Sequence, residues 1–426
     1  MKICIVGAGV IGLTSAYALA VRGHEVIVVD AATGPGQGAS FGNGAQLSYS
    51  YVAPLADASV WKNLPAYLLD PRSPLSWRPR FDAAQWQWIC AFLLACRPAR
   101  SRQSTAELLQ LAFYSRDCLS DWQGRLRLEF DYHTAGKLVM YSSDAAFKAA
   151  GRQVHYQEQL GCEQQILSVG QCLDVEPSLS ASAHRWLGGV YTPSEAVGDC
   201  ARFCTQLHEA IRRDLPGVTF CYGTHVTGMT REKGRLTALQ AISGDDKNDI
   251  HADVFVFANG AGSATLAALA GIRLPVYPLK GYSITLDAPS ATAGIPRVSI
   301  TDSARKIVYA RIGERLRVAG RVDIVGNDLQ IDARRTHSLL KEAQALFPAL
   351  AGDRDDIHPW AGMRPATPGG VPIIGCSPVT NLYLNTGHGA LGWTLACGSA
   401  ELLALQITGQ DSPIASQAYR YQHLLK

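Results

Sequence analysis

Residues 1–30 read MKICIVGAGVIGLTSAYALAVRGHEVIVVD. The apolar, β-branched run Ile3 to Val6 predicts a buried strand, and GAGVIG follows it directly. An alanine- and leucine-rich helix pattern then runs to Val21, and Gly23 closes it. Val26 to Val29 predict a second strand ending on Asp30. This is the βαβ dinucleotide fingerprint, bracketed by the two strands that give the glycine spacing its meaning. Gly7 permits the tight turn, Gly9 lets backbone approach a pyrophosphate, and Gly12 lets helix and strand pack closely. The unpaired N–H groups of the helix then face the phosphates. Asp30 lies 18 positions past Gly12, near the spacing at which a carboxylate reaches a ribose hydroxyl.

Lys2 followed by an apolar run ending in Ala18-Leu19-Ala20 has the outline of a secretory signal. Three glycines at fingerprint spacing, and the strand after them, argue against it. No stretch reaches the roughly 18 uninterrupted apolar residues of a membrane helix. The expected location is therefore the cytoplasm. At 426 residues the chain is too long for one simple core, so two domains are expected. With 47% hydrophobic and 18% charged residues it is ordinary globular protein. A net charge of +3 without a basic, aromatic-interleaved stripe points to no nucleic-acid partner. Eleven cysteines are scattered singly, with no Cys-x-x-Cys, so zinc and iron–sulfur spacings are absent and no metal is expected. An odd count without framework spacing fits a reducing compartment, and Cys200 and Cys204 read as core packing on a helix.

Three further stretches bear on function. GPGQGASFGNGAQLSYSYVAP, residues 34–54, holds too much glycine for helix or strand. It reads as a loop laid against a flat or charged group, with Ser40, Asn43 and Gln46 as polar contacts. ADVFVFANGAGS carries a buried strand, Val254 to Phe257, running into Asn259-Gly260-Ala261-Gly262, the place where a doubly wound sheet receives ligand. In NLYLNTGHGALGWT a strand exits through glycines into a helix whose N-terminus suits an anion. Between these, residues 61–127 are helical and aromatic. Trp61, Tyr67, Leu68, Leu69, Trp77, Trp86, Trp88, Ile89, Phe92, Leu93 and Leu94 crowd near Arg78, Arg80, Arg97 and Arg100. Such a stripe reads first as a helix packed on the core. The alternative is a surface that meets a membrane or a hydrophobic electron acceptor.

The order GAGVIG, SFGNGAQLSYSYVAP, SRDCL, EAVGDC, VYPLKGYS, WAGMRPATPGGVPIIG and NTGHGALGWTLACGS resembles the bacterial D-amino-acid dehydrogenases. These belong with D-amino-acid oxidase and glycine oxidase among FAD-dependent oxidoreductases, and the resemblance spans essentially the whole chain. It implies an α/β fold: a Rossmann-like, GR2-type FAD-binding domain interrupted by a discontinuous α+β substrate domain on a mixed sheet. The corresponding limits are 1–60, 195–272 and 355–426 for the first domain, and 61–194 with 273–354 for the second. It also implies pyrophosphate contacts at Gly7, Ala8, Gly9, Val10, Ile11 and Gly12, and ribose at Asp30. The flavin ring is expected against Ala45 and Gln46 and against the late loop with His388, Gly389, Leu391 and Gly392, while Ser40 and Gly260 are cofactor-binding candidates from their own glycine-rich stretches. A backbone contact to adenine falls on Val226. The carboxylate-binding arginine of the G-x-R-P motif falls on Arg364. Lys280, Tyr282 and Tyr309 are candidate substrate-lining residues.

Removing two electrons from an amino acid's α-carbon requires an acceptor that no side chain provides, and a flavin is one. A carboxylate is best fixed by a planar two-pronged donor, which is the case for Arg364. His388 is a candidate base or a residue packed beside the flavin. The expected reaction is oxidative deamination of a D-amino acid to a 2-oxo acid and ammonia. Electrons would pass to a quinone or other membrane acceptor, with the aromatic–arginine stretch as a candidate peripheral contact on the inner face of the membrane. The alternatives are an FAD oxidase, a dehydrogenase of a cyclic imino acid such as D-proline or D-hydroxyproline, and a flavin-binding scaffold subunit that never turns over.

Overall fold

The opening strand, Lys2–Val6, lies inside a six-stranded sheet. The order across it is Ile373–Cys376, Leu382–Thr386, Val254–Phe257, Lys2–Val6, Glu25–Val29 and Val218–Cys221. Neighbours run parallel except for the edge strand Ile373–Cys376. Strand alternation sends Ile3, Ile5, Val254 and Val256 to one face and Cys4, Val6, Phe255 and Phe257 to the other. The first face is covered by the helices Val10–Ala20, Cys200–Asp214 and Gly392–Thr408. The second is covered by a three-stranded antiparallel sheet, Thr224–Glu232, Arg235–Ser243 and Asp246–His251, through Leu236 and Leu239. This computed structural model describes the chain apart from residues 58–59, 62–63, 65–66, 68–72, 289–293, 353 and 424–426. Leu68 and Leu69 of the aromatic stretch lie outside the described residues.

The stretch Gly389–Thr408 is long and apolar enough by composition to cross a membrane, yet 61% of its apolar 18-residue window is buried inside the fold. It is wedged between Val10–Ala20 and Pro98–Leu126. Gly398 permits that crossing, since a Cβ there would stand 2.9 Å from the backbone of Ser115.

The second sheet is mixed and has nine strands among the described residues. Its path runs His358–Ala366, Tyr277–Asp287, Arg315–Ile324, Ile307–Ile312, Ser299–Asp302, Lys137–Tyr141, Gly188–Thr192 and Gln165–Leu167, with Leu75–Trp77 paired beside Arg315–Ile324. Two segments sit otherwise than the domain limits above expect. His358–Ala366 is hydrogen-bonded to Tyr277–Asp287, so the second sheet, not the nucleotide sheet, takes it. Helix Pro98–Leu126 buries Leu108, Leu109, Leu111 and Ala112 in the core of the nucleotide-binding half.

Helix Ala83–Ala95 begins at an Asp82 cap, whose carboxylate accepts the Ala84 N–H at 2.9 Å. Trp88, Ile89 and Phe92 are buried against Tyr277, Leu279 and Ala366. Trp86 and Leu94, on the other side, stay about half exposed. The aromatic stretch is therefore divided: one side is core, and the other faces out beside exposed Arg78, Arg80, Arg97 and Arg100.

Candidate active site

Residues from both sheets line one cavity of about 1320 Å³. A single small-molecule site is usually about 300–1,000 Å³, so this one has room for a dinucleotide and a second ligand. Its lining includes Asp30, Thr224 and Val226 and the glycine turns at Gly7, Gly9 and Gly260. Val10, Ile11, Ser40, Ala45 and Gln46 line it too, as do His388, Gly389, Leu391 and Gly392. Arg364, Trp88, Phe92 and Leu279 line the cavity as well.

Local geometry explains these placements. Gly7 has φ +113°, and a Cβ on it would lie 2.6 Å from the Ala258 carbonyl oxygen. Gly12 and Ala8 do not line the cavity but hold it. A Cβ on Gly12 would fall 1.7 Å from the Gly7 oxygen, and the Ala8 N–H donates to the Asp30 carboxylate at 2.5 Å. The other Asp30 oxygen accepts the Ala32 N–H at 2.8 Å. A carboxylate has about four lone-pair sites, so acceptor capacity remains. Ser40 Oγ accepts the Val10 N–H at 3.0 Å, which leaves the N–H groups of Ile11 and Gly12 without an intrahelical acceptor. Ala45 sits at φ +58°, its N–H bonded to Asn43 Oδ1 at 2.9 Å.

The glycine-rich loop is gripped by the second sheet. Ser283 Oγ donates to the Gly42 carbonyl at 2.7 Å, and Arg317 donates to the Asn43 carbonyl at 2.8 Å. The Trp360 ring occupies the space where a Cβ of Gly42 or Gly362 would be, at 2.3 and 2.2 Å. Bare backbone at residues 42 and 362 is thus a requirement for placing one indole.

Arg364 lies on His358–Ala366 opposite Leu279, with its guanidinium over Gly281, where a Cβ would lie 2.6 Å from Nη2. Among the described residues no carboxylate comes within ion-pair distance of it. Burial alone pushes the guanidinium down to about 10, as expected of an enclosed cation without a counter-charge. Trp88 Nε1 donates to the Ala366 carbonyl at 2.8 Å, which sets an apolar wall of Trp88, Phe92 and Leu279 beside this cation.

His388 is buried, with Nε2 2.9 Å from Ser399 Oγ and Nδ1 without a partner. Burial pushes its imidazole down to about 3, so at neutral pH it is uncharged and a weak base. Its folded pKa is below the roughly 6.5 of an unfolded histidine, so on acidification the unfolded chain takes the proton first. Stability is therefore expected to fall as pH drops from about 6.5 toward about 3. His24 and His208 are pushed the same way by burial, so the test is comparative: thermal unfolding of parent and His388→Gln across that window. A shallower acid slope in the variant is expected, and equal slopes would refute the assignment.

Of the three expected substrate-lining residues, Tyr309 and Lys280 are placed away from the cavity, and Tyr282 lines it with its hydroxyl engaged elsewhere. Tyr309 packs edge-on to Phe347 in the core on the far side of the sheet. Lys280 pairs with Asp328 at 3.3 Å in a separate polar pocket of about 220 Å³. Tyr282 touches the main cavity, but its hydroxyl donates to Asp323 at 2.9 Å. The physical reason is strand parity: on Tyr277–Asp287 the odd residues Leu279, Gly281 and Ser283 face the loop and Arg364. The even residues Tyr282, Ile284 and Leu286 face the opposite core. Residues that motif reading passed over are Trp360, Gly281 and Lys137, a buried lysine on the cavity wall.

The residues present fit FAD. Bare glycine backbone at Gly7 and Gly9, free helix N–H groups, and an acid at the end of the second strand match a dinucleotide's phosphates and ribose. The buried polar atoms Asn385 Oδ1 and His388 Nδ1 lack partners on the same cavity wall. Among the described residues no cluster suits a metal ion.

The sequence profile of the family described as FAD dependent oxidoreductase matches residues 2–406. The chain is 45% identical to D-amino acid dehydrogenase 2 of Ralstonia nicotianae, covering 98% of this chain and 99% of that one. It is 46% identical to D-amino acid dehydrogenase 2 of Pseudomonas aeruginosa, over 95% and 94%. Among solved structures, glycine oxidase from Geobacillus kaustophilus superposes with a TM-score of 0.75 at 20% identity, covering 98% of each chain. L-proline dehydrogenase from P. horikoshii gives 0.75 at 17% identity, covering 99% and 96%. The two structures agree with the observed architecture, and the two sequences are far closer. The chain belongs to the FAD-dependent oxidoreductase family, among its D-amino acid dehydrogenases.

Proposed function

We propose that this protein oxidises D-amino acids to 2-oxo acids and ammonia with FAD, and that its electrons leave to a quinone or another membrane-held acceptor. The observation that carries the reading is Arg364, a buried guanidinium without a carboxylate partner, set beside an apolar wall in the cavity that fits FAD. Arg364 binds the substrate carboxylate through two parallel N–H donors. Trp88, Phe92 and Leu279 exclude water and leave the substrate's Cα–H as the bond presented for reaction. FAD, when bound, supplies the two-electron acceptor that side chains lack. Burial keeps His388 a weak base, and in this proposal the substrate ammonium loses its proton to solvent before it enters the apolar-walled site. The acceptor reading is supported by exposed Phe81, Trp86 and Leu94, which exposed Arg78, Arg80, Arg97 and Arg100 flank along the chain.

Anaerobic mixing of FAD-loaded protein with a panel of D- and L-amino acids, D-proline included, tests this. Bleaching of the flavin absorbance by D-amino acids is the expected result, and no bleaching by any of them would overturn it. Reoxidation by a soluble quinone outpacing reoxidation by oxygen is expected for a dehydrogenase.

Gly281 gives a more specific test. In Gly281→Ala the new Cβ displaces the guanidinium it would otherwise meet at 2.6 Å. The guanidinium is the mobile end of a long side chain, so the fold survives while the anchor moves. KM for D-alanine is expected to rise about tenfold or more, an anchor shift of about 1.4 kcal/mol. Steady-state kinetics with an unchanged melting temperature are the expected readout.

A further inference from the structure

Lys137 opens strand Lys137–Tyr141 and is 2% exposed, yet it lines the main cavity. Its ammonium donates to Gln46 Oε1 and to Ser48 Oγ, both at 2.8 Å, and lies 4.2 Å from the centre of the Tyr51 ring. Both hydrogen-bond partners are neutral, and an ammonium carries a third N–H. Glu195 is the acid that acts on it, but its two oxygens accept the Tyr49 and Ser50 N–H groups at 2.7 Å each. Among the described residues no carboxylate reaches ion-pair distance of Lys137. Burial accordingly pushes it down to about 8. Glu195 lends charge from a distance without an ion pair, so an anionic or electron-rich acceptor at the cavity side would further stabilise this enclosed cation.

The surroundings say where that anion belongs. The Ser48 N–H donates to Thr394 Oγ1 at 3.1 Å, in the first turn of helix Gly392–Thr408, and Gln46 Nε2 donates to Ser299 Oγ. A full positive charge and a helix N-terminus thus converge on one stretch of cavity wall. The substrate carboxylate is not its partner. Lys137 is five strands from the strand of Arg364, which at about 4.8 Å per strand is on the order of 20 Å across the sheet.

We propose that Lys137 holds a cationic hydrogen-bond donor against the edge of the FAD ring and makes the bound cofactor easier to reduce. The proposal rests on the FAD reading above and adds a residue, with a role, to it.

The test needs no amino acid. Midpoint potentials of FAD-loaded parent, Lys137→Met, Lys137→Gln and Lys137→Arg are measured against a reference dye, with FAD affinity and melting temperature alongside. Met and Gln are expected to weaken the preference for the reduced cofactor about tenfold, about 30 mV for a two-electron couple. Arg, which keeps the charge, is expected to stay near the parent. A Met variant that takes up FAD at the parent's potential overturns the proposal. Equal loss of melting temperature in Met and Arg with no shift in potential also overturns it, because that pattern marks a structural lysine. If the Met and Gln variants do not fold, Glu195→Gln decides: removing the acid that acts on Lys137 is expected to raise the potential, and an unchanged value refutes the role. Protein that takes up no FAD would sink the family-based reading itself, whereas FAD bound at unchanged potential sinks only this inference.

Discussion

Replacing Arg364 with alanine is expected to lower kcat/KM for D-alanine about 100- to 1,000-fold. Truncating one partner of a buried, hydrogen-bonded charge pair costs about 2–5 kcal/mol, and each 1.36 kcal/mol is about tenfold. The same substitution is not expected to lower the melting temperature of the cofactor-loaded, substrate-free protein. The guanidinium has no carboxylate partner there, so its removal takes away an enclosed charge and no ion pair. That opposition, a large kinetic loss without a stability loss, separates a substrate anchor from a structural arginine. Arg364→Lys is expected to recover only part of the activity, since an ammonium is a point donor and not a fork. Turnover of Arg364→Ala within a fewfold of the parent would show that the carboxylate is held elsewhere.

Gly12→Ala is expected to abolish FAD binding. The added carbon would sit 1.7 Å from the Gly7 carbonyl oxygen, and neither atom is at the end of a flexible side chain. The opening helix must lift off its strand, which opens the turn that receives the phosphates. Overpacking of this kind costs about 1–3 kcal/mol or more, so the melting temperature falls with the cofactor content. Gly124→Ala is the matched control, on helix Pro98–Leu126 away from the cavity lining, because a Cβ there meets nothing within 4 Å. The ratio of visible to ultraviolet absorbance in purified protein checks both. A Gly12→Ala protein that retains stoichiometric FAD would contradict the packing role.

Features that depend on neighbours in the chain were legible in the sequence. Gly7 to Gly12, Asp30 and the apolar strand Val254–Phe257 are local patterns, and each occupies the expected place in the sheet. The motif that singled out Arg364 couples it to a proline and a glycine, and the structure puts that residue on the cavity wall. What sequence does not carry is parity and register. Strict alternation along Tyr277–Asp287, with the extra residue Arg321 bulged on the neighbouring strand, decides that Lys280 points away from the cavity while Gly281 lies under the arginine. Tyr309 is in the core by the same rule. Lys137 opens an ordinary alternating strand, and its burial follows from Gln46 and Ser48, roughly ninety residues away along the chain. The domain limits erred for a related reason. The long helix Pro98–Leu126 carries a mixed face, and its docking partner, Gly398, is far downstream.

The cavity is walled by the start of the chain, by the returns at Val254–Phe257 and His358–Ala366, and by the turn after Leu382–Thr386. These walls come from segments far apart in the chain, and they meet only once both sheets have formed. Without Leu382–Thr386 the strand Val254–Phe257 has no partner along that edge, and the turn carrying His388 and Gly389 is not held against the cavity. Recovery of FAD uptake on refolding is therefore expected to follow the pairing of this strand, checked by following flavin fluorescence alongside the return of secondary structure.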